Sequence, residues 1–160
     1  MLTPINTVLY ATDLGTGMDP ALRMAMSLAA KYQAQVTLLH VIEPINQAVY
    51  TWQSEDFWQD IRQNTQKVST ELAEERLSYL FEKENLGESV KRPEVVIKHG
   101  RVPSTVLQTG DDIDADLIVM GTHSHTALGE LILGSNADKV VRMSRRPVLL
   151  VPTTEKVASV

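Results

Sequence analysis

The sequence predicts an α/β fold, an open twisted five-stranded parallel sheet with helices on both faces. Three observations carry that prediction. Five short apolar runs alternate with four stretches of helical spacing. The strand runs are nearly continuous in Val, Ile and Leu rather than alternating with polar residues, as strands covered on both faces are. The 160 residues suffice for one core, and no domain linker, internal repeat or low-complexity segment interrupts them.

The elements follow in order. Ile5 and residues 7–11 form the first strand, which Thr12-Asp13-Leu14-Gly15-Thr16-Gly17 breaks with turn formers. Asp19 before Pro20 reads as an N-cap and a first-turn proline, and Leu22, Ala25, Met26 and Ala29 carry the helix to about Tyr32. Residues 36–42, interrupted only by Thr37 and His40, form the second strand, which Glu43-Pro44 stops. After a loop over 45–51, Ser54 with Glu55 and Asp56 opens a long second helix. Phe57, Ile61, Val68, Leu72, Tyr79 and Leu80 mark its expected face, and Asn85-Leu86-Gly87 its end. Residues 94–98 are the third strand, turned out by His99-Gly100. Pro103, Val106, Leu107 and Ile113 belong to a third helix, which Gly110 weakens by about 1 kcal/mol relative to alanine. Residues 117–120 form the fourth strand, 136–143 the fourth helix and 147–151 the fifth strand. A single domain over residues 1–152 is expected, with 153–160 as a frayed tail.

Composition limits the partners. Twenty acidic against fifteen basic side chains give a net charge of -5, which argues against general affinity for nucleic acid or anionic membranes. No cysteine is present, so disulfides and thiolate metal sites are excluded. The start lacks a basic region followed by a long apolar segment, and no run reaches the length of a membrane span. A soluble, cytoplasmic protein is the expectation.

The most informative stretch is 116–138, an apolar strand, a polar loop with His123 and His125, and a helix start at Gly134-Ser135. Ser135 with Asp138 fits a capping box, which would leave helix-start N–H donors at the positive end of the dipole, where anions bind. In a parallel sheet ligands bind where strand order reverses, here between the first and fourth strands, at whose ends Asp13 and Gly121 stand.

Other chemistries fail on spacing. No Gly-Lys-Ser or Gly-Lys-Thr supplies a Walker loop. Gly15-Thr16-Gly17 imitates a dinucleotide fingerprint, but Pro20 stands at the third glycine position. His99 and Pro152 stand where a phosphoacceptor receiver domain would need an aspartate and a lysine. His123 and His125, with His40, lack the nearby carboxylates of a metal site and read better as solvent-facing or phosphate contacts. Asp13 has no nucleophile and base paired with it by motif, so capping a loop or binding ribose hydroxyls is its favoured role.

Three blocks in order resemble the universal stress protein family: residues 8–13, residues 36–44, and residues 116–135 followed by 146–152. The resemblance covers nearly the whole chain. It implies a Rossmann-like sheet of the adenine nucleotide alpha hydrolase type, a homodimer joined through the last strand (Val148, Leu149, Leu150, Val151), and ATP held by Gly-x2-Gly-x9-Gly-Ser/Thr. The motif's first glycine falls on Gly121, its last on Gly134 and its hydroxyl residue on Ser135. Its second glycine is replaced by Ser124. Serine there either obstructs the phosphate and strains a left-handed backbone, or donates its hydroxyl to a phosphate oxygen. Asp13 matches the family's ribose-side carboxylate, Val41 the residue whose backbone meets adenine, and Ala11, Thr12 and Met120 the pocket walls; Asn136 joins the phosphate group of residues and His123 assists. The function implied is a dimeric stress-response module binding ATP, with Mg, or another adenine nucleotide, without a redox cofactor, and not an enzyme beyond slow ATP hydrolysis. The alternative is a nucleotide-free member acting through protein contacts only.

Overall fold

The computed structural model describes residues 2–15, 18–45, 52–122 and 133–153. Strands and helices alternate in the order β1 (Thr7–Thr12), α1 (Asp19–Tyr32), β2 (Gln35–Ile42), α2 (Glu55–Lys83), β3 (Glu94–His99), α3 (Val102–Asp112), β4 (Leu117–Thr122), α4 (Ser135–Met143) and β5 (Val148–Pro152). The sheet runs β3-β2-β1-β4-β5, parallel at every pair, so strand order reverses between β1 and β4 as the sequence predicts.

Strand periodicity divides the core into two layers. Val8, Tyr10, Val36, Leu38 and Val119 pack beneath α1 and α2, against Leu22, Ala25, Leu77 and Leu80. Leu9, Ala11, Leu39, Val41, Ile118 and Met120 face the opposite way, against Val106 of α3 and Val140 of α4. At the N-terminal edge of the sheet, the Asp116 carboxylate accepts the N–H groups of Asn6 and Thr7 at 2.8 and 3.0 Å, fixing where β1 begins beside β4.

Four sequence expectations are corrected. Asp19 is not the cap of α1. Met18 holds that position without a side-chain cap, because its own side chain is buried and its carbonyl accepts both Leu22 N–H and the Tyr10 hydroxyl. The capping box at α4 does not form either. Gly134 is the N-cap and Ser135 the first helical residue, while Asp138 pairs forward with Arg142 Nε at 2.9 and 3.0 Å instead of reaching back.

The buried stripe of α2 is Trp58, Ser69, Ala73, Leu77 and Leu80, and of the face expected from bulk only Leu80 belongs to it. Phe57, Val68 and Tyr79 are exposed. Ser69 and Ala73 share that stripe with the larger Leu77 and Leu80, so burial along this helix does not follow side-chain bulk. Ser54 does cap this helix, accepting Phe57 N–H at 3.2 Å. Finally, Thr153 is not part of a frayed tail. It is buried, and its hydroxyl donates to the Thr122 carbonyl. Residues 46–51 of the expected loop, the remainder of the tail (154–160), and His123, Ser124 and His125 lie outside the described residues.

Candidate nucleotide-binding cleft

A cleft of about 260 Å³ opens at the carboxyl ends of β1 and β4. That is near the lower end of the roughly 300–1,000 Å³ typical of small-molecule sites. It gathers Ala11, Thr12, Asp13, Val41, Met120, Gly121, Gly134, Ser135 and Asn136, every sequence-predicted site residue within the described chain. The other two, His123 and Ser124, are not among the described residues.

Three kinds of surface meet there. Ala11, Leu39, Val41, Val106 and Met120 form an apolar floor and wall, suited to a flat ring. Asp13 stands at the end of β1 on a loop tied by short bonds: its Oδ1 accepts Gly15 N–H at 2.8 Å, and Thr12 Oγ1 accepts Leu14 N–H at 3.0 Å. Leu14 between them takes a left-handed backbone, φ 60°, and buries its side chain in the core.

Opposite this loop the N-terminus of α4 enters the cleft. The first bond of that helix runs from Asp138 N–H to the Gly134 carbonyl at 2.9 Å, so the N–H groups of Ser135, Asn136 and Ala137 have no partner within the helix, and the N-cap residue, a glycine, has no side chain to cap them. They are donors for an anion, backed by the helix dipole. Asp13 is the one carboxylate among the described lining residues, and none of these is lysine or arginine. Attraction for a negative group therefore rests on backbone amides there. The Asp138 carboxylate in the first turn, which would oppose an anion, is engaged by Arg142.

Gly121 borders the cleft where β4 passes the end of β5. A β-carbon at this position would lie 2.5 Å from Cγ2 of Thr153, so only glycine leaves room for the close approach of these strand ends.

The universal stress protein family profile matches residues 4–152. The chain belongs to that family. Universal stress protein YxiE of Bacillus subtilis is 30% identical over 154 residues, covering 91% of this chain and 98% of its own. Universal stress protein MJ0577 of Methanocaldococcus jannaschii is 28% identical over 156 residues, covering 90% and 93% respectively. The solved structure of MJ0577 matches 96% of this chain and all of its own, with TM-score 0.64 and 24% identity. A universal stress protein in complex with cAMP matches 95% of this chain and all of its own, with TM-score 0.56 and 20% identity.

Beyond the predicted residues, the fold brings Met18 and Ala21 of α1, Val102 and Val106 of α3, Ala137 and Thr153 to this universal stress protein cleft. Their helical and strand neighbours are legible in the sequence, but their convergence is not, because it depends on which helix end packs over which strand end. Pro103 beside Val102 was the one local signal, marking a helix that starts near the sheet's carboxyl edge. His40, weighed above as a metal ligand, has Nδ1 2.9 Å from the Thr12 carbonyl, and no group of three metal-ligating side chains occurs among the described residues.

Proposed function

We propose that this chain is a stress-response module that binds ATP or another adenine nucleotide at the β1–β4 switch point. One observation carries the reading: a single cleft joins an apolar wall at Val41, a carboxylate at Asp13 and the N-terminus of α4, whose N-cap is a glycine. These are the surfaces that a base, a ribose and a phosphate chain need. Adenine lies against the apolar wall beside the Val41 backbone, Asp13 accepts from the ribose hydroxyls, and Gly134, Ser135 and Asn136 receive the phosphates, with His123 and Ser124 contributing from their side of the motif. The cAMP complex of a structural neighbour supports an adenine nucleotide as the ligand class.

The lining residues described here include no nucleophile held by a base, which supports a sensor or binding module over a fast hydrolase. ATP would bring its own Mg2+, since phosphate oxygens and water satisfy that ion's octahedral demand. β5 is an edge strand, and a homodimer joined through Val148, Leu149, Leu150 and Val151 completes the reading. The net charge of -5 favours a module without nucleic-acid partners, and a cytoplasmic location belongs to the same proposal.

Calorimetry with ATP, AMP and adenosine, together with identification of any nucleotide released on denaturing freshly purified protein, tests the proposal. ATP is expected to bind more tightly than AMP. No binding of any of the three at millimolar ligand sinks the nucleotide reading and leaves action through protein contacts, the reading that the Ser124 departure favours.

A further inference from the structure

We propose that His40 is a positioning residue, whose imidazole holds the Thr12 carbonyl and thereby fixes the loop that presents Asp13 to the cleft. His40 lies opposite Thr12 in the β1–β2 ladder, and its Nδ1 is 2.9 Å from that carbonyl oxygen. A carbonyl only accepts, so Nδ1 carries the proton and donates.

The neighbours of His40 on either side, Leu39 and Val41, line the cleft; strand alternation turns His40 to the other face, so it acts through Thr12 and not on a ligand. The peptide plane it holds is the one joining Thr12 to Asp13, and fixing that plane fixes the direction in which the Asp13 side chain leaves the backbone. The next residues need such an anchor. Leu14 has φ 60°, which a branched L-residue keeps only where its surroundings hold it. Leu14 N–H on Thr12 Oγ1 and Gly15 N–H on Asp13 Oδ1 close the remaining turns, so one chain of bonds runs from the imidazole to the carboxylate. Where it concerns ribose, the inference rests on the nucleotide reading above; where it concerns the loop, it does not.

The test uses the full chain with His40→Leu, which removes the donor, and His40→Asn, which returns an N–H near the Nδ1 position. In wild type, imidazole 15N shifts are expected to show the Nδ1–H tautomer. In His40→Leu, amide exchange at Leu14 and Gly15 is expected to rise about tenfold while Val36 and Leu38 in β2 hold their protection, and His40→Asn should restore the loop. The preference for ATP over 2′,3′-dideoxy-ATP is expected to shrink about fivefold in His40→Leu and to return in His40→Asn. An Nε2–H tautomer in wild type overturns the proposal, and so does loop exchange that is unchanged or rises only in step with β2. If wild type binds no adenine nucleotide, the nucleotide reading fails, and the tautomer and loop exchange still decide the role of His40. Should His40→Leu not fold, the tautomer and the His40→Asn loop exchange decide it.

Discussion

Cγ2 of Thr153 occupies the space that a side chain on Gly121 would need, 2.5 Å from the position of its β-carbon. The Thr153 hydroxyl meanwhile donates to the carbonyl of Thr122, the residue after Gly121, so the threonine cannot simply rotate away. Gly121→Ala is therefore expected to destabilise the fold by about 1–3 kcal/mol through overpacking. Thr153→Ser, which keeps the hydroxyl and removes the methyl, should recover most of that loss in the double variant. Chemical denaturation of the four proteins checks it; strictly additive effects would show that the two residues do not meet.

At α4 stability and binding should separate. Ser135 is the first helical residue and not the cap, so Ser135→Ala should change stability by less than about 0.5 kcal/mol while weakening ATP. Gly134→Asp should cap the helix and gain a few tenths of a kcal/mol, yet place a negative charge at the amides proposed for phosphate. Its ATP affinity should fall at least about tenfold with adenosine little affected. Equal losses for ATP and adenosine would remove the phosphates from this helix end.

Ser124 allows two opposite outcomes, and obstruction is the one expected. Ser124→Gly should then tighten ATP by up to about 1–2 kcal/mol, roughly tenfold. Weakening by about 1 kcal/mol would instead identify the hydroxyl as a phosphate donor.

Arg146 ties the start of β5 to the end of α3. Its guanidinium donates to Asp111 at 3.1 Å, to Asp114 at 3.1 Å and to the Ala115 carbonyl at 2.6 Å. The Asp111 hydrogen bond, then that of Asp114, raises the arginine pKa above its ordinary value, against partial desolvation. A raised basic pKa contributes stability that is complete below the unfolded pKa and is lost only as pH climbs through the folded one, far on the alkaline side. Arg146→Met should cost about 1–2 kcal/mol, since both carboxylates are largely exposed and screened. On the arginine's account that cost should be flat between about pH 6 and pH 9. Thermal melts across that range would expose any slope.

The β5 edge should pair with its own copy. Val148, Leu149 and Leu150 remain half-buried at the edge of the sheet, where backbone groups on one side have no strand partner among the described residues. Sedimentation is expected to show a dimer at micromolar concentration, and a monodisperse monomer would count against the two-fold contact.

Pattern by itself determined the alternation of elements, the parallel sheet and its switch point, because continuous apolar runs and helical spacing are local consequences of which surfaces are covered. It also put Asp13 and Gly121 at the strand ends beside that switch point, while Val41, Met120 and Gly134 entered only through the resemblance to the family. Tertiary structure alone decided the rest. The buried stripe of α2 runs through Ser69 and Ala73 while Phe57, Val68 and Tyr79 stay exposed, because which side of the helix is covered is set by its packing on the sheet and not by the bulk of its side chains. Asp19 and Ser135 have the chemistry of caps, but the caps are Met18, whose side chain is buried in the core, and Gly134. Thr153 looks like the first residue of a tail and is buried against Gly121, and His40 reaches Thr12 across two strands. Thr153 and His40 each depend on a neighbour distant in sequence, and contacts of that kind exist only once the sheet has brought the strand ends together.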